Sequence, residues 1–168
     1  MSQVGTEGNG AWATALERQR YFEDVHLGEE FEQFQQPTTE HVRAFMGERE
    51  MGDPGRGRFS DTSEARRQGL ERPIVPGNMS MAMITRLVTD WMGPLGRIVS
   101  LDISYRRPVL HGDRLRCVAL VTDAGDDALE GAGPAIVQLD VALENERGER
   151  PVQGAAAVEL PRRTDVAF

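Results

Sequence analysis

The chain has 168 residues, of which 39% are apolar and 27% are charged, and its net charge is −8. All 19 basic residues are arginines, which excludes a Schiff-base lysine and a lysine general base. The single cysteine, Cys117, excludes an internal disulfide and a cysteine-based zinc cluster. The three histidines lie far apart without the spacing of metal ligands, so we expect neither a metal nor a cofactor.

An acidic pI of about 4.9 argues against general binding of nucleic acid or of a membrane surface. No segment approaches the length of apolar sequence that a membrane span needs. The first ten residues are polar and glycine-rich, without the apolar core of a signal peptide. We therefore expect a cytoplasmic protein with one domain.

The first elements of the chain are short. Residues 1–20 are expected to form a tail, with a short helix over residues 11–20. Alternation at residues 31–34 indicates a strand after a turn at Gly28. Thr38 or Thr39 is expected to cap a helix over residues 40–46, and a loop is predicted for the glycine-rich stretch that follows, up to residue 59.

Two more helices are predicted in the middle of the chain. Asp61 is expected to cap a short helix that ends near Gly69, with Glu64 as the reciprocal partner in a capping box. A longer helix is predicted over residues 77–92. Because its apolar residues lie on nearly all sides, we expect this helix to be buried around most of its circumference.

The chain after residue 96 is predicted to form strands. Residues 98–105 alternate, with Val99 on the apolar face, and further strands are predicted over residues 114–123, 135–145 and 153–160. Four successive strands with short turns favour an antiparallel meander. Together with the long apolar helix, they predict an α+β fold in which the sheet curls around that helix.

Three segments follow a known pattern: YFEDVHLG at residues 21–28, TEHVRAF at residues 39–45 and RRPVLHGDRL at residues 106–115. They resemble the MaoC-like family of (R)-specific enoyl-thioester hydratases and dehydratases, which has the hot-dog fold. The last segment is the most specific, because the family pattern there is R-R-P-V-x-x-G-D-x-L. The resemblance covers residues 21–161 as a single hot-dog domain, which leaves residues 162–168 as a second tail.

The resemblance also implies what the protein binds. It implies a homodimer, or a heterodimer with another hot-dog subunit, that holds an acyl-coenzyme A or acyl-carrier-protein thioester in a tunnel at the subunit interface. No nucleic acid or membrane partner is implied. The thioester carbonyl is expected near the start of the central helix.

The family's chemistry depends on a loop of the form D-x-N-P-[IL]-H-x-D, in which the aspartate and the histidine act as general base and acid. The matching stretch here is DPGRGRFSD at residues 53–61. Phe59 falls on the histidine position, and phenylalanine cannot transfer a proton. Asp53 reaches the aspartate position only with one inserted residue, while Asp61 aligns with the final aspartate. The resemblance therefore leaves Asp53 or Asp61 as the proton-transfer group.

The entrance to the central helix also differs from the family. The family usually has A-H-G, whereas this chain has Val75, Pro76 and Gly77. The resemblance implies that Gly77 lets backbone N–H groups approach the thioester oxygen as an oxyanion hole. Val75, Pro76, Asn78 and Ser80 are expected to contact the substrate, as is Phe59 on the loop.

Five arginines are candidates for anion binding. Arg56 and Arg58 replace neutral residues of the family loop, so a loop that lines the tunnel would let them clamp a substrate carboxylate or phosphate. Arg97, Arg106 and Arg107 flank the ends of predicted strands and are expected to hold the phosphates of a thioester carrier. The alternative for each of them is a solvated surface side chain.

Three functions stay open at this point. The first is an acyl-thioester hydratase or dehydratase with altered acid–base chemistry. The second is a non-catalytic acyl-binding subunit of a heterodimeric dehydratase. The third is a thioesterase-like or biosynthetic enzyme that uses the same tunnel. A general acid–base group contributes about 10²–10⁴-fold to a rate, so the loss of the histidine bears directly on this choice.

Overall fold

The computed structural model describes residues 16–47, 57–125 and 135–165. The predicted helix over residues 11–20 and the predicted loop before Phe59 lie largely outside these ranges. The described helices and strands are α1 (Thr39–Met46), α2 (Thr62–Arg67), α3 (Gly77–Met92), β1 (Glu30–Gln35), β2 (Arg97–Tyr105), β3 (Leu115–Asp123), β4 (Ile136–Glu144) and β5 (Val152–Glu159). The helices and strands predicted within the described ranges are present, apart from differences in their ends.

The local signals at the start of the domain are confirmed. Gly28 adopts a left-handed conformation, with a φ of +82°, in the turn that leads into β1. The Thr38 side chain accepts a hydrogen bond from the His41 amide at 3.2 Å and so caps α1. Val42 on the inner face of α1 is fully buried, which ties the short helix to the core.

The five strands form one antiparallel sheet in the order β1-β3-β4-β5-β2. Strands β3, β4 and β5 form the predicted meander, but the prediction is wrong for β2, which pairs with β5. Strand β3 is already hydrogen-bonded to β1 and β4, so it has no free edge for β2. The connection from β2 to β3 therefore crosses the end of the sheet, where the Val75 amide donates to the Val109 carbonyl at 2.8 Å.

Strand β2 is irregular in its first half. Its register against β5 shifts between Ile98 and Ser100. As a result Ile98 and Leu101 both pack against the core, while Val99 is exposed. The predicted alternation with Val99 on the apolar face is wrong, because a bulge adds one residue and moves the following side chains to the other face.

Helix α3 packs lengthwise against the inner face of the sheet. Its buried residues are Ser80, Met83, Ile84, Leu87, Val88 and Met92. Asn78, Met81, Ala82 and Arg86 on the opposite side are exposed, so the predicted burial on nearly all sides is wrong for a single chain. The sheet covers one side of the helix and leaves the other open. Within the described ranges, no helix has both the length and the apolarity that crossing a membrane requires.

Candidate functional site

A cavity of about 350 Å³ lies beside the start of α3. Its walls come from the 3-10 turn Gly57–Phe59, the segment before α3, the end of β2 with the connection after it, and the start of β5. The lining residues are Arg58, Phe59, Ile74, Val75, Gly77, Ser80, Tyr105, Arg106, Arg107, Pro108, Val109 and Val152. Segments distant in the sequence thus meet around the first turn of one helix.

The first turn of α3 presents free backbone donors. Pro76 precedes the helix and supplies no side-chain cap, although its carbonyl accepts from the amides of Met79 and Ser80 at 3.0 and 3.1 Å. In the described structure the amides of Gly77 and Asn78 have no backbone acceptor. Free amides at the positive end of a 16-residue helix favour an oxygen that carries negative charge.

Tyr105 covers this turn and was not predicted as a site residue. Its hydroxyl donates to the Gly77 carbonyl at 2.8 Å. A Cβ at Gly77 would lie 3.2 Å from the Tyr105 ring, so glycine allows the close approach of the ring to the helix. The signal in the sequence is that Tyr105 ends the alternating stretch on its inward face, directly before the RRPV motif.

Ser80 is the polar residue deepest in this wall. Its side chain is buried, with 1% of the residue exposed, and it lines the cavity. Its hydroxyl has no hydrogen-bond partner among the described residues. A helical side chain points toward the helix N-terminus, so the hydroxyl is directed toward the first turn of α3. A hydroxyl in the cavity wall without a protein partner is free to bind a polar group of a ligand.

Asp61 lies outside the lining of the cavity. Its exposed carboxylate accepts from the amide and the hydroxyl of Ser63, both at 2.7 Å, and so caps α2. These hydrogen bonds lower the pKa of Asp61. The predicted capping box is wrong, because the Asp61 amide donates to the Gly57 carbonyl. Glu64 instead accepts from Arg67 at 3.2 Å.

The loop side of the cavity is cationic and aromatic. The half-buried Phe59 ring lies beneath the Arg58 guanidinium, whose carbon is 5.0 Å from the ring centroid. Arg107 forms an ion pair with Glu149 at 2.9 Å. No aspartate, glutamate or histidine belongs to the described lining. The described part of the wall therefore lacks the side chains that usually act as a general acid or base.

His111 lies outside the cavity lining. It is buried, and its Nδ1 is 3.1 Å from the Thr39 hydroxyl. Burial lowers the pKa of His111, although the backbone of Ile74 and of Phe59 beside its ring favours the protonated form. The histidine therefore ties together α1, the loop at Phe59 and the segment before α3.

The cavity brings together seven of the residues expected at the site, namely Arg58, Phe59, Val75, Gly77, Ser80, Arg106 and Arg107. Pro76 is buried at the helix start, and Asn78 lies along a different, shallow groove on α3 with Met81. Asp53 and Arg56 lie outside the described residues, and their roles stay predictions. Within those ranges, no three His, Cys, Asp or Glu side chains form a group that could hold a metal ion.

Comparison with known proteins finds a family model that matches part of the chain. Residues 60–136 match the family model described as MaoC like domain. No curated protein matches this chain. The predicted resemblance to the MaoC-like family is confirmed by this match, which includes the cavity residues from Ile74 to Val109.

Solved structures share the fold. The (R)-hydratase from A. caviae involved in PHA biosynthesis is 24% identical, with a TM-score of 0.70 over 83% of this chain and 99% of that chain. R-hydratase PhaJ1 from Pseudomonas aeruginosa is 19% identical, with a TM-score of 0.71 over 85% and 86%. The ChsH1-ChsH2 complex from Mycobacterium tuberculosis contains a chain that is 21% identical, with a TM-score of 0.65 over 82% and 99%. The α+β hot-dog fold is confirmed.

Proposed function

We propose that this MaoC-like domain binds acyl thioesters and adds or removes water across the carbon–carbon bond next to the thioester carbonyl. The observation that supports this reaction is the polar first turn of α3 inside a largely apolar cavity. Gly77, whose amide has no backbone acceptor, and Ser80, whose hydroxyl has no partner in the described structure, both line the cavity. A thioester carbonyl is a polar group on an apolar chain, and this wall has the matching pattern.

In the proposed mechanism the thioester oxygen accepts a hydrogen bond from the Gly77 amide. The helix dipole stabilises the negative charge that develops on this oxygen when the bond next to the carbonyl reacts. Hydration adds a hydroxyl group to the β-carbon and a proton to the α-carbon, and dehydration reverses both transfers. Asp53 is the proposed proton-transfer group, because the Asp61 carboxylate is engaged in capping α2.

A second function is favoured by the composition of the described cavity wall. Because no aspartate, glutamate or histidine belongs to that lining, the chain would also suit an acyl-binding subunit whose partner supplies the catalytic pair. Strand β2 offers a place for such a partner, since it is an edge of the sheet and most of its residues are exposed. An exposed edge strand can pair with a second chain, either another copy or a different hot-dog subunit.

The test is the hydration of crotonyl-coenzyme A by the full chain, measured as loss of the enoyl absorbance. We expect Asp53→Asn to lower kcat by about 10²–10⁴-fold, the usual contribution of a general acid–base group. The matched control is Asp61→Asn, which keeps a capping side chain and is expected to leave kcat within about twofold.

The other outcomes separate the alternatives. Thioester binding without turnover, with turnover restored by a hot-dog partner that has an intact D-x-N-P-x-H loop, would establish the acyl-binding subunit and overturn the lone enzyme. Release of the free acid would identify a thioesterase-like reaction instead. If the chain neither binds nor converts thioesters, both proposals fail.

A further inference from the structure

Two arginines at the cavity differ from most others in the chain. Most described arginines contact a carboxylate, including the cavity residue Arg107, which pairs with Glu149 at 2.9 Å. Within residues 16–47, 57–125 and 135–165, Arg58 and Arg106 contact none, although both line the cavity. This pairing pattern is notable because acidic residues outnumber basic ones by 27 to 19.

Arg58 is held in place by its neighbours. Its guanidinium lies over the Phe59 ring at 5.0 Å, and its carbonyl accepts from the Ile74 amide at 2.9 Å. A cation stacked on an aromatic ring keeps its N–H donors free at the ring's edge. Arg106 reaches the same cavity from the end of β2, where its amide donates to the Pro151 carbonyl at 2.7 Å. Hydrogen bonds therefore hold the backbone of both arginines in place beside the cavity.

Arg58 and Arg106 are exposed residues of the cavity wall, so their unpaired guanidinium groups are accessible to a ligand. A guanidinium group matches a carboxylate with two parallel hydrogen bonds. No carboxylate of the described lining competes for them. The anion is expected close to the thioester. Gly77 and Ser80, where the thioester carbonyl is proposed to bind, line the same cavity as the two arginines. In coenzyme A the phosphates are separated from the thioester by the whole pantetheine arm, whereas a carboxylate on the acyl group stays near it.

We propose that Arg58 and Arg106 bind a carboxylate on the acyl group, so that the preferred ligand is the thioester of a dicarboxylic acid. This inference rests on the proposed thioester binding at the start of α3. The Phe59 ring serves as the support that orients Arg58, and Ser80 with Gly77 binds the other end of the acyl group.

The test compares four saturated ligands that hydration cannot consume: pentanoyl and glutaryl thioesters, each on coenzyme A and on N-acetylcysteamine. Isothermal titration calorimetry on the full chain measures their affinities. We expect Arg58→Gln and Arg106→Gln each to weaken glutaryl binding about 10-fold or more on both carriers, and to change pentanoyl binding by less than about twofold. We expect Phe59→Leu to weaken glutaryl binding by less than Arg58→Gln does.

The matched control is Arg66→Gln, because Arg66 is an exposed arginine of α2 that contacts no carboxylate in the described structure and does not line the cavity. Its glutaryl affinity should equal that of the wild type. Urea unfolding of each variant shows that lost binding is not lost folding. If the arginine substitutions weaken binding of the coenzyme A ligands only, the arginines bind the carrier phosphates and the inference is overturned. It is also overturned if the wild type binds glutaryl and pentanoyl thioesters equally well. Failure of the wild type to bind all four would instead overturn the proposed function.

Discussion

Two sets of arginines in this lysine-free chain are satisfied in different ways. On the outer face of the sheet, Arg116 of β3 forms ion pairs with Glu30 and Glu32 of β1 and with Glu144 of β4, the last at 2.8 Å. Glu144 also pairs with Arg150 at 2.8 Å. We call these five residues the Arg116 cluster. Its hydrogen bonds raise the pKa of Arg116 and lower the pKa of Glu144.

The cavity arginines, Arg58 and Arg106, have no such carboxylates among the described residues. The Arg116 cluster joins three elements of one sheet, so its charges are neutralised whether or not a ligand is bound. The cavity arginines instead line an open cavity, where a ligand can neutralise their charge. The comparison suggests a rule for this chain: removing an arginine of the cluster should cost stability, whereas removing a cavity arginine should cost binding.

The largest effect on stability is expected from Arg116→Met. The substitution removes three ion pairs and leaves three carboxylates close together, so we expect the free energy of unfolding to fall by about 1–2 kcal/mol. Urea unfolding measures this loss, and thioester affinity should stay unchanged. Arg114→Met is the control, because its single exposed pair with Glu146 at 3.5 Å should contribute less than about 0.5 kcal/mol. Equal losses in the two variants would contradict the special role of the Arg116 cluster.

A smaller effect on stability is expected at Asp61. Like the Arg116 cluster it stabilises the fold, but through a helix cap and not through ion pairs between strands. Asp61 caps α2, so Asp61→Ala should lower the free energy of unfolding, while Asp61→Asn keeps a capping side chain and should lower it less. Urea midpoints of the two variants measure the difference. If Asp61→Asn has wild-type stability but loses turnover, Asp61 belongs to the chemistry and the comparison has to be redrawn.

The smallest effect concerns pH. Burial lowers the pKa of His111 in the folded chain. When the pH falls below the ordinary histidine pKa of about 6.5, His111 therefore binds a proton more readily in the unfolded chain than in the folded chain. Stability from this group is therefore present above that value and lost as the pH falls through it. We expect the fall in urea midpoint between pH 7.5 and 5.5 to be smaller for His111→Gln than for the wild type. His26→Gln, at an exposed histidine, should behave as the wild type, and a similar reduction in both variants would remove His111 as the cause.

Local signals in the sequence determined much of the fold. The cap at Thr38, the cap at Asp61 and the turn at Gly28 need only neighbouring residues, and all three are present as expected. The long apolar helix and the alternating strands predicted an α+β hot-dog domain. These features could be predicted because helix caps, turns and periodic burial are set within a few residues along the chain.

The order of the strands and the composition of the cavity were decided by the tertiary structure. Strand β2 joins β5 because both edges of β3 are occupied, and this crossing brings Tyr105 and Arg106 to the start of α3. Asp61 and Asn78 looked like site residues in sequence, yet they lie outside the lining. The sequence alone determined that every cation would be an arginine. Which arginine is neutralised by the protein and which faces a ligand depends on carboxylates that are distant in the chain, and only folding brings those together.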